Sequence, residues 1–449
     1  MLDRPKATAR TQQRTAVAPP RLWRTLLMFF SIVGPGIITA NADNDVGGIQ
    51  TYSIAGAQFG YSMLWLLIPV TIALIVTQEM CARMGAVTGK GLADLIRENF
   101  GVKVTAIVLL LFVCADLGNT AAEFAGIAYA SPIFQQYLPA LNKFVLVPVA
   151  AIFVFTMVTR GNYRLIEKIF FAFCFVYLSY VASGFLVHPP WGEVLRQMVF
   201  PHFVPTQAYM LTAVGVIGTT ISPWMQFYIQ SAVVEKGVRI KDYPYSRVDV
   251  VTGAIITDVI AFFIVVSCAA TIYVHNQHLA PGQHPLSVNT AGDVAQALAP
   301  LAGRYASLLF ALGLLNAAIF TASILPLSTA YYVCEAFGFE SGVEKRFSDA
   351  PIFYTLYAGL IAVGGGAVLL ASDALQSLII FYSQVLNGVL LPVVLVLMLL
   401  LVNNPRLMGR YVNNLAFNVI AWTTVIVCGG LTLVSTIQTI VSGNSAGGG

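Results

Sequence analysis

Asn41-Ala42-Asp43-Asn44-Asp45-Val46-Gly47-Gly48 lies inside an apolar run near residues 25–57. Two carboxylates, two amides and a glycine pair interrupt a stretch otherwise long enough to cross a bilayer. A charge at that depth is costly and seldom accidental, and the glycine pair weakens a continuous helix. The reading is an unwound turn with carbonyls and carboxylates aimed inward. The alternative is a kink whose acids reach an interface. A second interruption, Gly218-Thr219-Thr220-Ile221-Ser222-Pro223-Trp224-Met225-Gln226, falls in the run near 206–233. Proline removes an amide donor there and clashes with the preceding turn. The flanking hydroxyls can satisfy freed backbone groups.

The rest of the chain sets these breaks in a membrane. Of 449 residues, 57% are hydrophobic and 10% charged, against about 25% charged in soluble domains. Mean hydropathy is +0.78. A soluble globular protein, a disordered chain and a nucleic-acid binder are excluded. Further apolar runs near 61–85, 103–130, 143–159, 165–187, 247–274, 295–334, 350–371, 375–402 and 412–441 bring the expected spans to eleven. They are helical, because lipid cannot satisfy open backbone groups. Of 24 lysines and arginines, all but Lys143, Arg196 and Arg304 fall on one side of this topology. That side is the cytoplasm. The N-terminus is therefore expected inside and the C-terminus outside, in a multi-pass plasma-membrane protein.

Spans 1 and 6 are five apart and enter from opposite sides. Spans 1–5 (residues 25–187) and 6–10 (206–402) read as an inverted repeat, with span 11 (412–441) appended. Residues 1–24 form a basic cytoplasmic segment, unlike a cleavable signal, and 442–449 a flexible tail. Interrupted segments in matching halves point to a central transport site. Unwound carbonyls with Asp45 suit a hard divalent cation. The six cysteines form no CxxC pair and read as small buried apolar residues. His275, His278 and His284 read as a solvated loop more than a metal site. Glu79 and Glu335 lie near inner span ends and read as interfacial.

Several ordered motifs resemble the Nramp family of divalent-metal transporters. They are Gly34-Pro35-Gly36, Ala55-Gly56-Ala57, Ala82-Arg83-Met84-Gly85 with Val87-Thr88-Gly89-Lys90-Gly91-Leu92, Ala122-Glu123-Phe124-Ala125-Gly126, Ser383-Gln384-Val385 and Leu391-Pro392. The resemblance runs from about residue 30 to 400. It implies two inverted five-helix repeats and alternating access. Where the family has Asp-Pro-Gly-Asn, this chain has Asp45-Val46-Gly47-Gly48, so the aspartate stays and an asparagine ligand becomes Gly48. Where the family has Met-Pro-His, Pro223 stands between Ser222 and Trp224, and the thioether is missing from its place in either register.

Loss of a soft sulfur removes a bias toward soft metals, and the extra space suits partly hydrated Mg²⁺. The pattern resembles the Nramp-related magnesium transporters. Asp45 is the expected anchor, at the Gly48 gap. The helpers are Thr219, Thr220, Ile221 and Ser222 with their carbonyls, and Gln384. Asp43 is a second carboxylate or a vestibule residue. Glu123 matches a family proton-relay glutamate, but the partner aspartate falls on Thr120. Glu123, Thr120, Asp116 and Asp258 are read as a vestibule, a residual proton path or a packing cluster. With no intramembrane histidine, uptake is expected to be uncoupled from protons. Mg²⁺ or Mn²⁺ is cargo, and no cofactor or obligatory protein partner is expected. The rivals are a proton-coupled Mn²⁺/Fe²⁺ transporter of the Nramp type and a sodium-coupled amino-acid transporter of the same architecture. A membrane enzyme lacks any HExxH or GxSxG motif.

Overall fold

The computed structural model describes residues 35–135, 139–160, 163–279, 285–286, 292–294 and 304–446. The basic segment 1–24, the start of span 1, His284 and the start of span 8 lie outside the described residues. Among the described residues the chain is helical with no strand. Nine helices are long and apolar enough to cross a membrane. Among the described residues the second half of span 1 and span 2 form one continuous run, and the two halves of span 6 are each too short to be counted. The count of eleven remains an expectation that treats each broken pair as one crossing.

Span 1 is α1 (Pro35–Asn41) and α2 (Val46–Phe59), parted at residues 42–45. A 3-10 turn over Gly60–Met63 leads into α3 (Leu64–Thr88). The next segment, α4 (Leu92–Gln135), breaks at Gly101, where φ is 82° and ψ 164°. Only glycine adopts that conformation without strain, so residues 92–100 form a separate arm before span 3. Next come α5 (Lys143–Arg160), α6 (Tyr163–Val176) and α7 (Leu178–Leu186). A short helix, α8 (Trp191–Val199), occupies the connection to span 6. The sequence reading had placed no element there.

Span 6 is α9 (Gln207–Thr220) and α10 (Pro223–Glu235). It is followed by α11 (Tyr243–Cys268), extended through a π turn at Ala269–Tyr273. The remainder is α12 (Arg304–Phe337), α13 (Pro351–Leu370), α14 (Asp373–Val402), α15 (Pro405–Met408) and α16 (Leu415–Ala446). The last helix runs five residues into the expected tail, since extending a formed helix is easy. Cys114 is exposed on α4, unlike the buried Cys81, Cys268, Cys334 and Cys428.

The packing holds both broken helices in place. Span 1 lies along α11, α9 crosses α14, and α12 runs along α4. The start of α1 is capped from another helix. Asp249 of α11 accepts from the Gly36 N–H at 2.7 Å and the Ile37 N–H at 3.2 Å. Asp249→Ala would strip the partner from both donors, one of them buried. We expect a loss of about 1–3 kcal/mol, seen as a lower unfolding midpoint in detergent; an unchanged midpoint would contradict this capping role.

Candidate metal site

At the first break the backbone leaves the helix at Asn41 and re-enters at Asp45, an extended residue with ψ of 176°. Asp45 is buried, and one of its carboxylate oxygens caps α2 by accepting from the Gly48 N–H. The hydroxyl of Thr219 and the amide of Gln384 stand beside the same carboxylate. Gly48 lies across from it. A Cβ on Gly48 would fall 2.9 Å from the Asp43 carbonyl oxygen, 2.9 Å from Thr219 Oγ1 and 3.1 Å from Asp45 Oδ1. Glycine at this position therefore keeps a narrow hollow bounded by three oxygens, too tight even for a methyl group.

The second break is narrower. Ile221 and Ser222 are its non-helical residues, and Pro223 opens α10. Ser222 turns its hydroxyl back to the carbonyls of Gly218 and Thr219 at 3.0 and 2.9 Å. It serves as a backbone cap there. Thr220 donates to the Val216 carbonyl and shares a 2.7 Å hydrogen bond with Tyr52. Of the four residues expected from span 6, Thr219 is the one whose side chain reaches Asp45. The side chain of Ile221 lines an apolar groove between α3 and α16 instead.

Gln384 is oriented by a chain of amides. Its Oε1 accepts from Asn387 at 3.1 Å, and Asn387 and Asn119 exchange hydrogen bonds at 3.1 and 3.3 Å. The Gln384 nitrogen is left toward Gly47 and Asp45. In this conformation Gln384 steadies the carboxylate with a donor. Asn119 and Asn387 were not singled out in the sequence, although a mid-span asparagine pair is itself a signal.

The remaining acids divide into two groups. Asp116 accepts from Thr329 and Tyr332, both at 2.8 Å, and from Asn119 at 3.4 Å. It is a satisfied packing residue joining α4 to α12. Thr120 donates to the Asp116 carbonyl at 2.7 Å. Glu123 accepts from the Val46 N–H at 3.3 Å, beside Asp45. Asp43 and Asp258 are buried and act on one another, and neither carboxylate has a hydrogen bond of ordinary geometry. No lysine, arginine or histidine is among the groups acting on Asp43, Asp45, Glu123 or Asp258. Buried acids without cations among the described residues are neutralised either by a proton or by a positive partner.

The family model "Natural resistance-associated macrophage protein-like" matches residues 36–438. The chain belongs to the Nramp family. The divalent metal cation transporter MntH of Verminephrobacter eiseniae is a 27% identical relative over 92% of this chain and 91% of its own. An Eremococcus coleocola manganese transporter, solved with an aromatic bis-isothiourea substituted compound, shares the fold. Its TM-score is 0.73 at 22% identity, over 93% of this chain and 88% of that one. The nucleobase-cation-symport transporter Mhp1 is a more distant fold neighbour, with a TM-score of 0.56 at 16% identity, over 91% of this chain and 93% of its own. This Nramp chain is thus a multi-pass membrane protein with the fold of a transporter.

Two substitutions separate site from scaffold. Gly48→Ala puts a methyl group among the three oxygens and should cut metal flux by about tenfold or more, which corresponds to roughly 1.4 kcal/mol. Ser222→Ala should instead lower stability by about 1 kcal/mol with KM nearly unchanged. Liposome flux beside thermal unfolding distinguishes them; equal flux in Gly48→Ala and the parent would remove the hollow from the site.

Proposed function

We propose that this Nramp protein imports divalent cations across the plasma membrane by alternating access, with partly hydrated Mg²⁺ as the cargo the site suits best. The observation that carries the reading is the three-oxygen hollow at Gly48 beside Asp45. Mg²⁺ prefers oxygen, keeps several waters and is commonly held through one or two carboxylates. Asp45 anchors the ion, Thr219 and the Asp43 carbonyl complete its protein contacts, and Gln384 holds the carboxylate. Glu123, Asp43 and Asp258 make the surroundings attractive to cations. An opening of about 290 Å³, lined by Gln50, Gln58, Thr212 and Ser377, lies between α2, α9 and α14. It sits at the end assigned to the outside and stops short of Asp45, as a closed stage of the cycle would have it.

Transport is driven by membrane potential in this reading. Two charges gain about 4.6 kcal/mol per 100 mV, interior negative. Asp116 is occupied by three donors, and the Thr120 hydroxyl, unlike a carboxyl, does not titrate near neutral pH, which supports uncoupled uptake. The rival is a proton-coupled Mn²⁺ carrier. It is favoured by the relatives, a divalent metal cation transporter and a manganese transporter, and by Glu123, which sits beside Asp45 at the first break. Family membership weighs against the amino-acid transporter.

Proteoliposomes decide between these. With potential clamped, Mg²⁺ entry should exceed Ca²⁺ entry and should not change when a pH gradient is collapsed. Asp45→Ala should abolish the flux. A proportional fall on collapsing the gradient, or Mn²⁺ flux with no Mg²⁺ flux, would install the rival; parental flux in Asp45→Ala would dismiss the site.

A further inference from the structure

At the end of the bundle assigned to the cytoplasm, a cavity of about 220 Å³ lies between α3, the start of α11 and the connection into α16. Arg83, Arg247 and Arg410 line it, with Glu79, Tyr243 and Tyr411. Three guanidiniums thus face one carboxylate. Glu79 is not interfacial as its position suggested: it is buried and ion-paired with Arg83 at 3.1 Å. Arg83 is 7% exposed, and it also donates to the Tyr411 carbonyl at 2.7 Å and to Asn413. Its Nε is buried with no partner, and so is the Tyr243 hydroxyl. Arg410 lies over the Tyr411 ring and donates to its hydroxyl at 2.9 Å. Among the described residues, neither Arg247 nor Arg410 forms an ion pair with an acid.

We propose that this pocket binds a phosphate-class anion. Its donors line one cavity, its charge is in positive excess, and guanidinium forks match tetrahedral oxyanions. The Nε of Arg83 and the hydroxyl of Tyr243 are buried polar groups that lack the partner such groups normally have. The anion comes either from solution or from a phospholipid headgroup in the adjoining leaflet. Its placement gives it a consequence. Arg83 belongs to α3, Arg410 to the turn after α15, and Arg247 to α11, two residues before the Asp249 that caps α1. An anion held by all three ties α11, and through it the first half of span 1, to the rest of the bundle. The inference is independent of which metal the protein carries.

The test uses full-length protein in detergent at constant ionic strength. The unfolding midpoint is followed against inorganic phosphate, against dihexanoyl phosphatidic acid, and against chloride as control. At least one phosphate probe should raise the midpoint saturably while chloride does not. Half-saturation should weaken by about tenfold in Arg247→Ala and in Arg410→Ala, the loss of one charge-assisted contact. A response to inorganic phosphate assigns a soluble anion; a response to the lipid alone assigns the headgroup. Arg247→Lys and Arg410→Lys keep the charge without the fork, should show intermediate weakening, and carry the test if an alanine variant fails to fold. No rise with either probe, or equal half-saturation in the parent and every folded variant, overturns the site.

Discussion

A helix broken in the middle of a bilayer releases backbone groups that water cannot reach, and each must find a partner in the protein. That constraint organises the fold around the two breaks. At the first, Thr321 of α12 donates to the Ala42 carbonyl and Tyr177 to the Asn44 carbonyl, both at 3.1 Å. The Val46 N–H goes to Glu123 of α4, and the Asn44 amide reaches Thr257 of α11 at 2.5 Å. At the second, Ser222 covers two carbonyls locally, and Ser328 of α12 takes the Trp224 carbonyl at 2.9 Å. The breaks are held open by helices far away in sequence, so their shape depends on the whole bundle.

This division explains what could be read before the coordinates. The breaks were visible because acids, a glycine pair and a proline inside apolar runs violate the local rule for a spanning helix. Asp45 and Thr219 followed from that violation, whereas Gly48 and Gln384 were singled out by the family resemblance. For Thr220 and Ser222 both a backbone role and a ligand role stayed open, since a hydroxyl looks the same in sequence whether it faces a site or its own backbone. Thr219 and Thr220 are a residue apart and so about 100° apart around α9. One meets Asp45 and the other Tyr52. Asp116 was equally ambiguous, because its donors Thr329 and Tyr332 lie more than two hundred residues away. The arm before Gly101 and the helix α8 escaped notice because both are short segments outside any spanning run.

The two breaks contribute unequally, and the inequality bears on the ion. The first is four residues wide and brings a carboxylate and a free-standing carbonyl to the hollow. The second is two residues wide and largely capped by its own serine, so it adds a single hydroxyl. Three protein oxygens make half of an octahedron. They lie 2.9–3.1 Å from the point that a Gly48 Cβ would occupy, so any side chain there would press on all three. In the proposed reading a magnesium ion that takes these oxygens needs about three more ligands, and water supplies them. A thioether would be a poor partner for such a hydrated ion, because sulfur is a weak hydrogen-bond acceptor. A carboxylate, a carbonyl and a hydroxyl all accept well. In the proposed reading, the missing sulfur and the bare Gly48 therefore serve one end: a shell in which water completes what the protein's oxygens begin.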